Sequence, residues 1–146
     1  MIARRRWHRA AFTAAGLYNL CWGTYSSIDP QWYFRSVGLA PLNHPQIFAC
    51  LGMVLALYGV LYLEVARVPE RGFAMAAIGF TGKVLGPLGA FYLVGTGAWP
   101  ARFLWHTAAN DLIWWIPFAL YLRDAWPGFR EGFRAPPPSG EKRDPS

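Results

Sequence analysis

The sequence predicts an all-α protein, a bundle of four transmembrane helices with a short interfacial helix in its first outer link. Of its 146 residues, 54% are hydrophobic and only 15% are charged, whereas a soluble domain carries about 25% charged residues. Charged residues also separate four apolar stretches, each close to the roughly 20 residues that a helix needs to cross a bilayer. This composition excludes a disordered chain and argues against a typical soluble enzyme, and two cysteines are too few for a disulfide-stapled secreted domain.

The four membrane helices are predicted at about residues 10–28, 46–66, 72–95 and 102–122. The first follows the basic segment RRRWHR, and no small-x-small cleavage site precedes Asp29. We therefore expect an uncleaved helix there and not a removed signal peptide. In the link that follows, Asp29-Pro30 is typical of the start of a short helix and Gly38 of its end. The aromatic run Trp32-Tyr33-Phe34 favours a position along the membrane surface.

The later boundaries have similar signals. Asn43 and Gln46 predict a capping box at the start of the second membrane helix. Pro69 and Glu70 suit the first turn of the third helix, and Pro100 suits the start of the fourth.

Residues 1–126 are thus predicted to form a single membrane domain, followed by a flexible, polar and Pro-rich cytoplasmic tail over 127–146. The net charge is +6. Most Lys and Arg residues lie in three places, the amino terminus, the link between the second and third helices, and the carboxyl-terminal segment. The other two links hold only Arg35 and Arg102. The positive-inside rule then predicts a multi-pass protein of the bacterial inner (cytoplasmic) membrane with both termini in the cytoplasm, and this pattern does not indicate a nucleic-acid partner.

Four polar residues lie near the middles of three of the predicted spans: Asn19, Lys83, Asn110 and Asp111. At 1.5 Å per residue they fall within about one helical turn of each other in depth. A lone charge at the bilayer centre costs about 2.5–3.5 kcal/mol on insertion scales. We therefore expect Lys83 and Asp111 to pair, with the two asparagines supplying further hydrogen bonds.

Other residues near this cluster are candidate pocket lining: Gly86, Pro87, Trp114 and Trp115. Pro87 has no N–H to donate, so the carbonyl of Lys83 loses its helical partner. A row of small residues on the same helix predicts close approach of a neighbouring helix; its members are Gly79, Gly82, Gly86 and Gly89.

Two interpretations of the polar cluster stay open. It either fixes helix register as a structural ion pair, or it binds a small or lipid-like ligand, with a proton-linked form as one variant. We favour a non-enzymatic membrane protein that binds such a ligand. One alternative is an accessory subunit of a larger membrane complex; transport would require a homo-oligomer.

A second alternative is a membrane redox protein that uses Cys21 and Cys50, although small buried apolar cysteines are the more common case. No catalytic residues and no metal ligands are predicted. The lone His44 and His106 have no characteristic ligand spacing, and the sequence does not indicate a cofactor.

The segments YNLCWG, GKVLGP and NDLIWWIPF, within about residues 16–122, resemble those of a group of small bacterial four-helix membrane proteins, most of them uncharacterised. The matching positions include Asn19, Lys83, Asn110 and Asp111. Some members carry the label alkyl hydroperoxide reductase, which implies reactive cysteines in a soluble thioredoxin-like fold, and neither cysteine of this chain has that setting. In size and helix count the chain is also similar to DoxX-like proteins, an architectural analogy.

Overall fold

The computed structural model describes residues 2–134, which contain helices and no β-strand, so the prediction of an all-α fold is confirmed for this part of the chain. The helices are α1 Arg5–Ile28, α2 Trp32–Val37, α3 Pro45–Arg67, α4 Phe73–Gly95, α5 Phe103–Asn110 and α6 Trp115–Arg134. Two short 3₁₀ turns, Pro69–Arg71 and Leu112–Trp114, precede α4 and α6.

α1 and α3 form the most closely packed pair of helices. Glycines make this approach possible, because a Cβ at Gly23 would lie 2.5 Å from the carbonyl oxygen of Gly52, and one at Gly59 would lie 2.7 Å from that of Gly16. The glycine row predicted on α4 has this role in part, since a Cβ at Gly79 would lie 2.5 Å from the ring of Tyr62 on α3 and one at Gly86 would lie 3.0 Å from Oδ2 of Asp111. Gly82 and Gly89 have no neighbour within 4 Å of such a Cβ among the described residues, so the backbone-to-backbone contact of two helices lies between α1 and α3.

The opposite half of the molecule is formed by α4 with α5 and α6. One end of the molecule, which we call the terminal end because Arg4 lies there, joins the two halves tightly. Phe12 of α1 packs on Phe118 and Tyr121 of α6, with ring centroids 4.5 and 4.7 Å away. The Tyr121 hydroxyl donates to the carbonyl of Pro69 at 2.6 Å.

The other end, which we call the α2 end, is covered by α2. The ring of Tyr33 stacks on Phe48 of α3 at 5.6 Å and meets Phe103 of α5 edge-on at 5.5 Å. Gly38 ends α2 with a φ of 66°, a left-handed conformation that favours glycine. The predicted end of this helix is therefore correct, but it begins at Trp32 and Asp29 does not act as its N-cap.

Other predicted boundaries shift by a few residues. α3 begins at Pro45, and neither Asn43 nor any other side chain caps its first N–H groups, so no capping box forms. Pro69 and Glu70 start a 3₁₀ turn, and α4 begins only at Phe73. Similarly, α5 begins three residues after Pro100.

The carboxyl-terminal boundary also differs, since α6 continues through Pro127 to Arg134. The ring of Phe129 stacks on Phe73 of α4 with centroids 4.2 Å apart, and Trp126 contacts the same ring at 5.5 Å. These contacts hold the last turns of α6 against α4 despite the hydrogen bond that Pro127 cannot donate. The rest of the predicted tail, residues 135–146, lies outside the described residues.

Two helices, α3 and α4, are long and apolar enough to cross a membrane, with mean hydropathies of 2.0 and 1.4 over their most apolar windows. α1 is equally long and begins with Arg5, Arg6 and Arg9, but the uncharged residues that follow are not apolar enough to make it a candidate span by the same measure. The fourth predicted span, 102–122, is not one continuous helix. It is interrupted at Asp111, where α5 ends after eight residues.

Candidate functional site

The interruption of the fourth span places a polar backbone segment inside the molecule. Asp111 has φ −126° and ψ −58°, outside the helical region, and one 3₁₀ turn follows before α6 starts at Trp115. Pro117, in the first turn of α6, suits a helix start because the N–H that it lacks would have no helical partner there. The break leaves the carbonyl of Asn110 free for another donor.

Lys83 of α4 is that donor. Its Nζ lies 2.6 Å from the carbonyl oxygen of Asn110 and 3.8 Å from Oδ1 of Asp111. The Lys83 side chain is 5% exposed and that of Asp111 is 13% exposed. The ammonium therefore caps the negative end of the α5 dipole and lies close to the carboxylate.

A second, reciprocal bond joins the same two helices. Because Pro87 cannot donate to the carbonyl of Lys83, this oxygen is free, and the indole Nε1 of Trp115 donates to it at 2.8 Å. The ammonium of Lys83 thus donates to the last carbonyl of α5, while the indole of Trp115 in α6 donates to the carbonyl of Lys83. α4 is fixed against the break at two points.

A cavity of about 260 Å³ lies between α1 and α3 on one side and α4 and the break on the other. Its polar lining consists of Asn19, Tyr58, Tyr62, Lys83, Asn110 and Asp111, and its apolar lining includes Leu51 and Leu55. Asn19 is 3% exposed, yet its side-chain amide has no hydrogen-bond partner among residues 2–134. The fully enclosed side-chain atoms without a partner in this part of the chain belong to His8, Trp22 and Trp114. The amide of Asn19 is not one of them and is therefore open to the cavity that it lines.

The carboxylate of Asp111 has room on its cavity side. Oδ1 accepts a bond from Nδ2 of Asn110 at 3.1 Å. Oδ2 lies only 3.0 Å from where a Cβ of residue 86 would be, so the absence of a side chain at Gly86 lets the carboxylate approach α4. A larger residue at 86 would push Asp111 away from the cavity.

A second cavity of about 240 Å³ adjoins the first towards the α2 end. The two share five lining residues: Leu51, Leu55, Gly86, Asn110 and Asp111. Trp22 also lines the second cavity, and its indole Nε1 is buried without a hydrogen-bond partner in the described part of the chain. His106 lines its far wall and makes a 2.8 Å hydrogen bond with Ser36 of α2. The polar cluster therefore faces cavity space on both sides of Asp111.

The structure places the predicted site residues in two groups. Asn19, Lys83, Asn110, Asp111 and Gly86 line the first cavity together. The other three candidates, Pro87, Trp114 and Trp115, were expected to line a pocket but do not line either cavity. Pro87 is buried in α4, the ring of Trp114 lies 5.9 Å from Nζ of Lys83, and Trp115 faces the backbone of Lys83. Trp114 and Trp115 therefore contact Lys83 from outside the two cavities.

Several features of the site were missed from the sequence. Pro117 lies six residues after Asp111 and is a helix-start signal that could have indicated the break. Leu51, Leu55 and Trp22 have no signal of their own, because any apolar helix contains such residues. Their role depends on how the two halves of the molecule meet.

A further cluster was also missed. Asp124 of α6 accepts two bonds from Arg4, at 2.7 and 3.0 Å, and one contact of 2.8 Å from Nε2 of the buried His8. Burial raises the pKa of Asp124, but the bonds from His8 and Arg4 outweigh it and hold the pKa below its usual value. This cluster joins the start of α1 to α6 at the terminal end.

Cys21 and Cys50 are both free and exposed at the surface of the bundle, so they are not the buried cysteines that we expected as the common case. Within residues 2–134 no group of three or more His, Cys, Asp or Glu residues is placed to hold a metal ion. Comparisons with protein-family models, with characterised proteins and with solved structures find no match to this chain.

Proposed function

We propose that this chain is a four-span membrane protein that binds a small amphipathic molecule in the cavity lined by Asn19, Lys83 and Asp111. The helix break at Asp111 is part of the site, because irregular backbone at membrane depth is tolerated where it is buried in protein or lines a cavity. Together the two adjoining cavities reach the size range of small-molecule sites, which starts at about 300 Å³.

The observation that carries the proposal is the unpartnered amide of Asn19. A purely structural ion pair would need its asparagine neighbours to complete its hydrogen bonds, as Asn110 does. Asn19 instead lines open space that Lys83 and Asp111 also line. Because the amide faces the cavity and no other side chain uses its donors or its acceptor, a polar group bound in the cavity can hydrogen-bond to it.

The membrane location is supported by the outer surface of the helices. α3 and α4 are apolar enough to span a bilayer, and large apolar side chains are exposed on them and on α1 and α5, among them Leu17, Leu57, Leu88 and Trp105. The terminal end carries the Arg residues of the amino terminus. By the positive-inside rule we place this end, and both termini, in the cytoplasm of a bacterium, with the α2 end on the outer side of the inner membrane.

Native mass spectrometry of the full-length protein, released from membranes in a mild detergent, tests the proposal. The wild-type protein should carry a non-protein adduct of defined mass. Asn19→Ala should lose it while it keeps the helical content of the wild type. Gln46→Ala changes an exposed amide in the first turn of α3 that lines neither cavity, and it should keep the adduct, which makes it the matched control.

A wild-type protein without any adduct would count against the proposal, as would an adduct that Asn19→Ala keeps. A stoichiometric protein partner with no small molecule would contradict it in favour of the accessory-subunit alternative. The redox alternative would require the adduct to depend on Cys21 or Cys50, and Cys21→Ala with Cys50→Ala is expected to leave it unchanged.

A further inference from the structure

An apolar groove of about 550 Å³ lies at the α2 end, between α2 and the first turns of α3. Its walls are mostly apolar: Phe34, Leu42, Ile47, Phe48 and Leu51, with Asn43 and His44 at its edge. Ile47 is 68% exposed and Leu51 is 47% exposed. The groove therefore opens on the outside of the bundle, where the proposed orientation places the outer leaflet.

The groove adjoins the polar site. Leu51 lines the groove and both cavities, and Phe48 lines the groove and the second cavity. Leu51 thus lies at the boundary between the groove on the surface of the bundle and the space beside Asp111. An occupant with one apolar end and one polar end could lie across Leu51 and contact both regions at once.

The charges of the polar site restrict the polar end of that occupant. Lys83 and Asp111 sum to zero whether both are ionised or both are neutral, and Asn19 adds no charge. A charged headgroup would leave one uncompensated charge in a site shielded from water, which is costly. The asparagine amide, the ammonium and the carboxylate together offer both donors and acceptors.

From this adjacency and charge balance, and resting on the proposed function, we propose that the ligand is a single-chain lipid with an uncharged, hydroxyl-bearing headgroup. The headgroup lies among Asn19, Lys83 and Asp111, and the hydrocarbon chain passes Leu51 into the groove. The lipid reaches the site from the outer leaflet between α2 and α3.

The test measures binding of three probes to the purified full-length protein in a mild detergent, by native mass spectrometry and tryptophan fluorescence. The probes are 1-monooleoylglycerol, oleate and 1-monobutyrylglycerol, which has the same headgroup as the first but a four-carbon chain. Monooleoylglycerol should bind about tenfold or more tightly than oleate, since the charge of oleate is uncompensated in the site. Tighter binding of oleate would overturn the headgroup assignment.

Substitutions test the groove. Leu51→Trp and Ile47→Trp fill it from two walls, and each should weaken monooleoylglycerol binding by about tenfold or more, as expected when the chain loses its apolar site. Leu57→Trp is the matched control, because Leu57 is 64% exposed on α3 and lines neither the groove nor the cavities. Unchanged binding in both groove variants would overturn the assignment of the chain.

The short probe separates the two claims. Monobutyrylglycerol should bind to the wild type, its binding should be weakened by Asn19→Ala, and Ile47→Trp should leave its binding unchanged. If it does so while the groove variants leave monooleoylglycerol unaffected, the groove inference fails and the proposed function stands. If Asn19→Ala changes the binding of neither glyceride, both fail.

Discussion

Replacing Lys83 with methionine should destabilise the fold strongly, because among residues 2–134 the lysine is the only charged partner of the buried Asp111 carboxylate. Nζ lies 2.6 Å from the Asn110 carbonyl oxygen and 3.8 Å from Oδ1 of Asp111. The side chain of Lys83 is 5% exposed and that of Asp111 is 13% exposed. Removing one member of a buried pair costs about 3–5 kcal/mol. Lys83→Met should lower the free energy of unfolding by that amount.

The double variant Lys83→Met with Asp111→Leu should recover part of the loss. It removes the uncompensated charge but still leaves the Asn110 carbonyl without its donor, which costs about 1–3 kcal/mol. We therefore expect it to be more stable than Lys83→Met by about 2 kcal/mol, a difference between these two estimates. Titration with a denaturing detergent, followed by circular dichroism, measures all three proteins.

Arg123→Met is the control for loss of a cation, since Arg123 is exposed, and it should change stability by no more than about 0.5 kcal/mol. The reasoning would be refuted if Lys83→Met were as stable as the wild type. It would also be refuted if the double variant were no more stable than the single one, because the carboxylate would then not depend on the lysine.

Three further predictions concern packing, pH and membrane embedding. Gly23→Ala places a Cβ against the backbone of α3 and should destabilise by about 1–3 kcal/mol, whereas Gly89→Ala, with open space around it, should be neutral or slightly stabilising in the same titration. Burial raises the pKa of Asp124, but the bonds from His8 and Arg4 outweigh it and lower the pKa overall. The ionised carboxylate therefore stabilises the fold fully at pH values above its unfolded-state pKa, and this stabilisation is lost as the pH falls through its folded-state pKa. The free energy of unfolding of Asp124→Asn, measured against pH, should lack this acid-side loss, and a profile like that of the wild type would contradict the assignment. Cys21 and Cys50 are exposed on helices that we place in the bilayer. They should therefore resist a water-soluble maleimide in intact membranes and react with it after denaturation. Rapid labelling in intact membranes would contradict the placement of these helices in the bilayer.

The polar cluster could be located from the sequence because charges inside apolar stretches are costly and must meet partners. Depth along antiparallel helices then indicates which residues lie at one level. This argument brought Asn19, Lys83, Asn110 and Asp111 together without any knowledge of packing. It assumed straight helices, however, and therefore missed the break at Asp111.

The remaining features depend on how side chains fill space between helices. Glycine spacing on α4 predicted a close helix contact, and Gly79 and Gly86 do lie against Tyr62 and Asp111. Periodicity does not identify the partner, however, and the backbone-to-backbone contact is between Gly23 of α1 and Gly52 of α3. Likewise, Trp114 and Trp115 were expected in the pocket because they lie one turn from Asp111. In the structure, Trp114 ends the 3₁₀ turn and Trp115 begins α6. From there the ring of Trp114 lies 5.9 Å from Nζ of Lys83 and Trp115 donates to the Lys83 carbonyl, both outside the cavity.

The most direct test of a ligand site at Asn19 is the side-chain amide resonance of this residue, observed by NMR in the ¹⁵N-labelled full-length protein. Titration with 1-monobutyrylglycerol should shift the Nδ2 signal of Asn19 in a saturable way and leave the Nε2 signal of the exposed Gln46 in place. A titration in which the ligand saturates but the Asn19 amide does not shift would contradict the account.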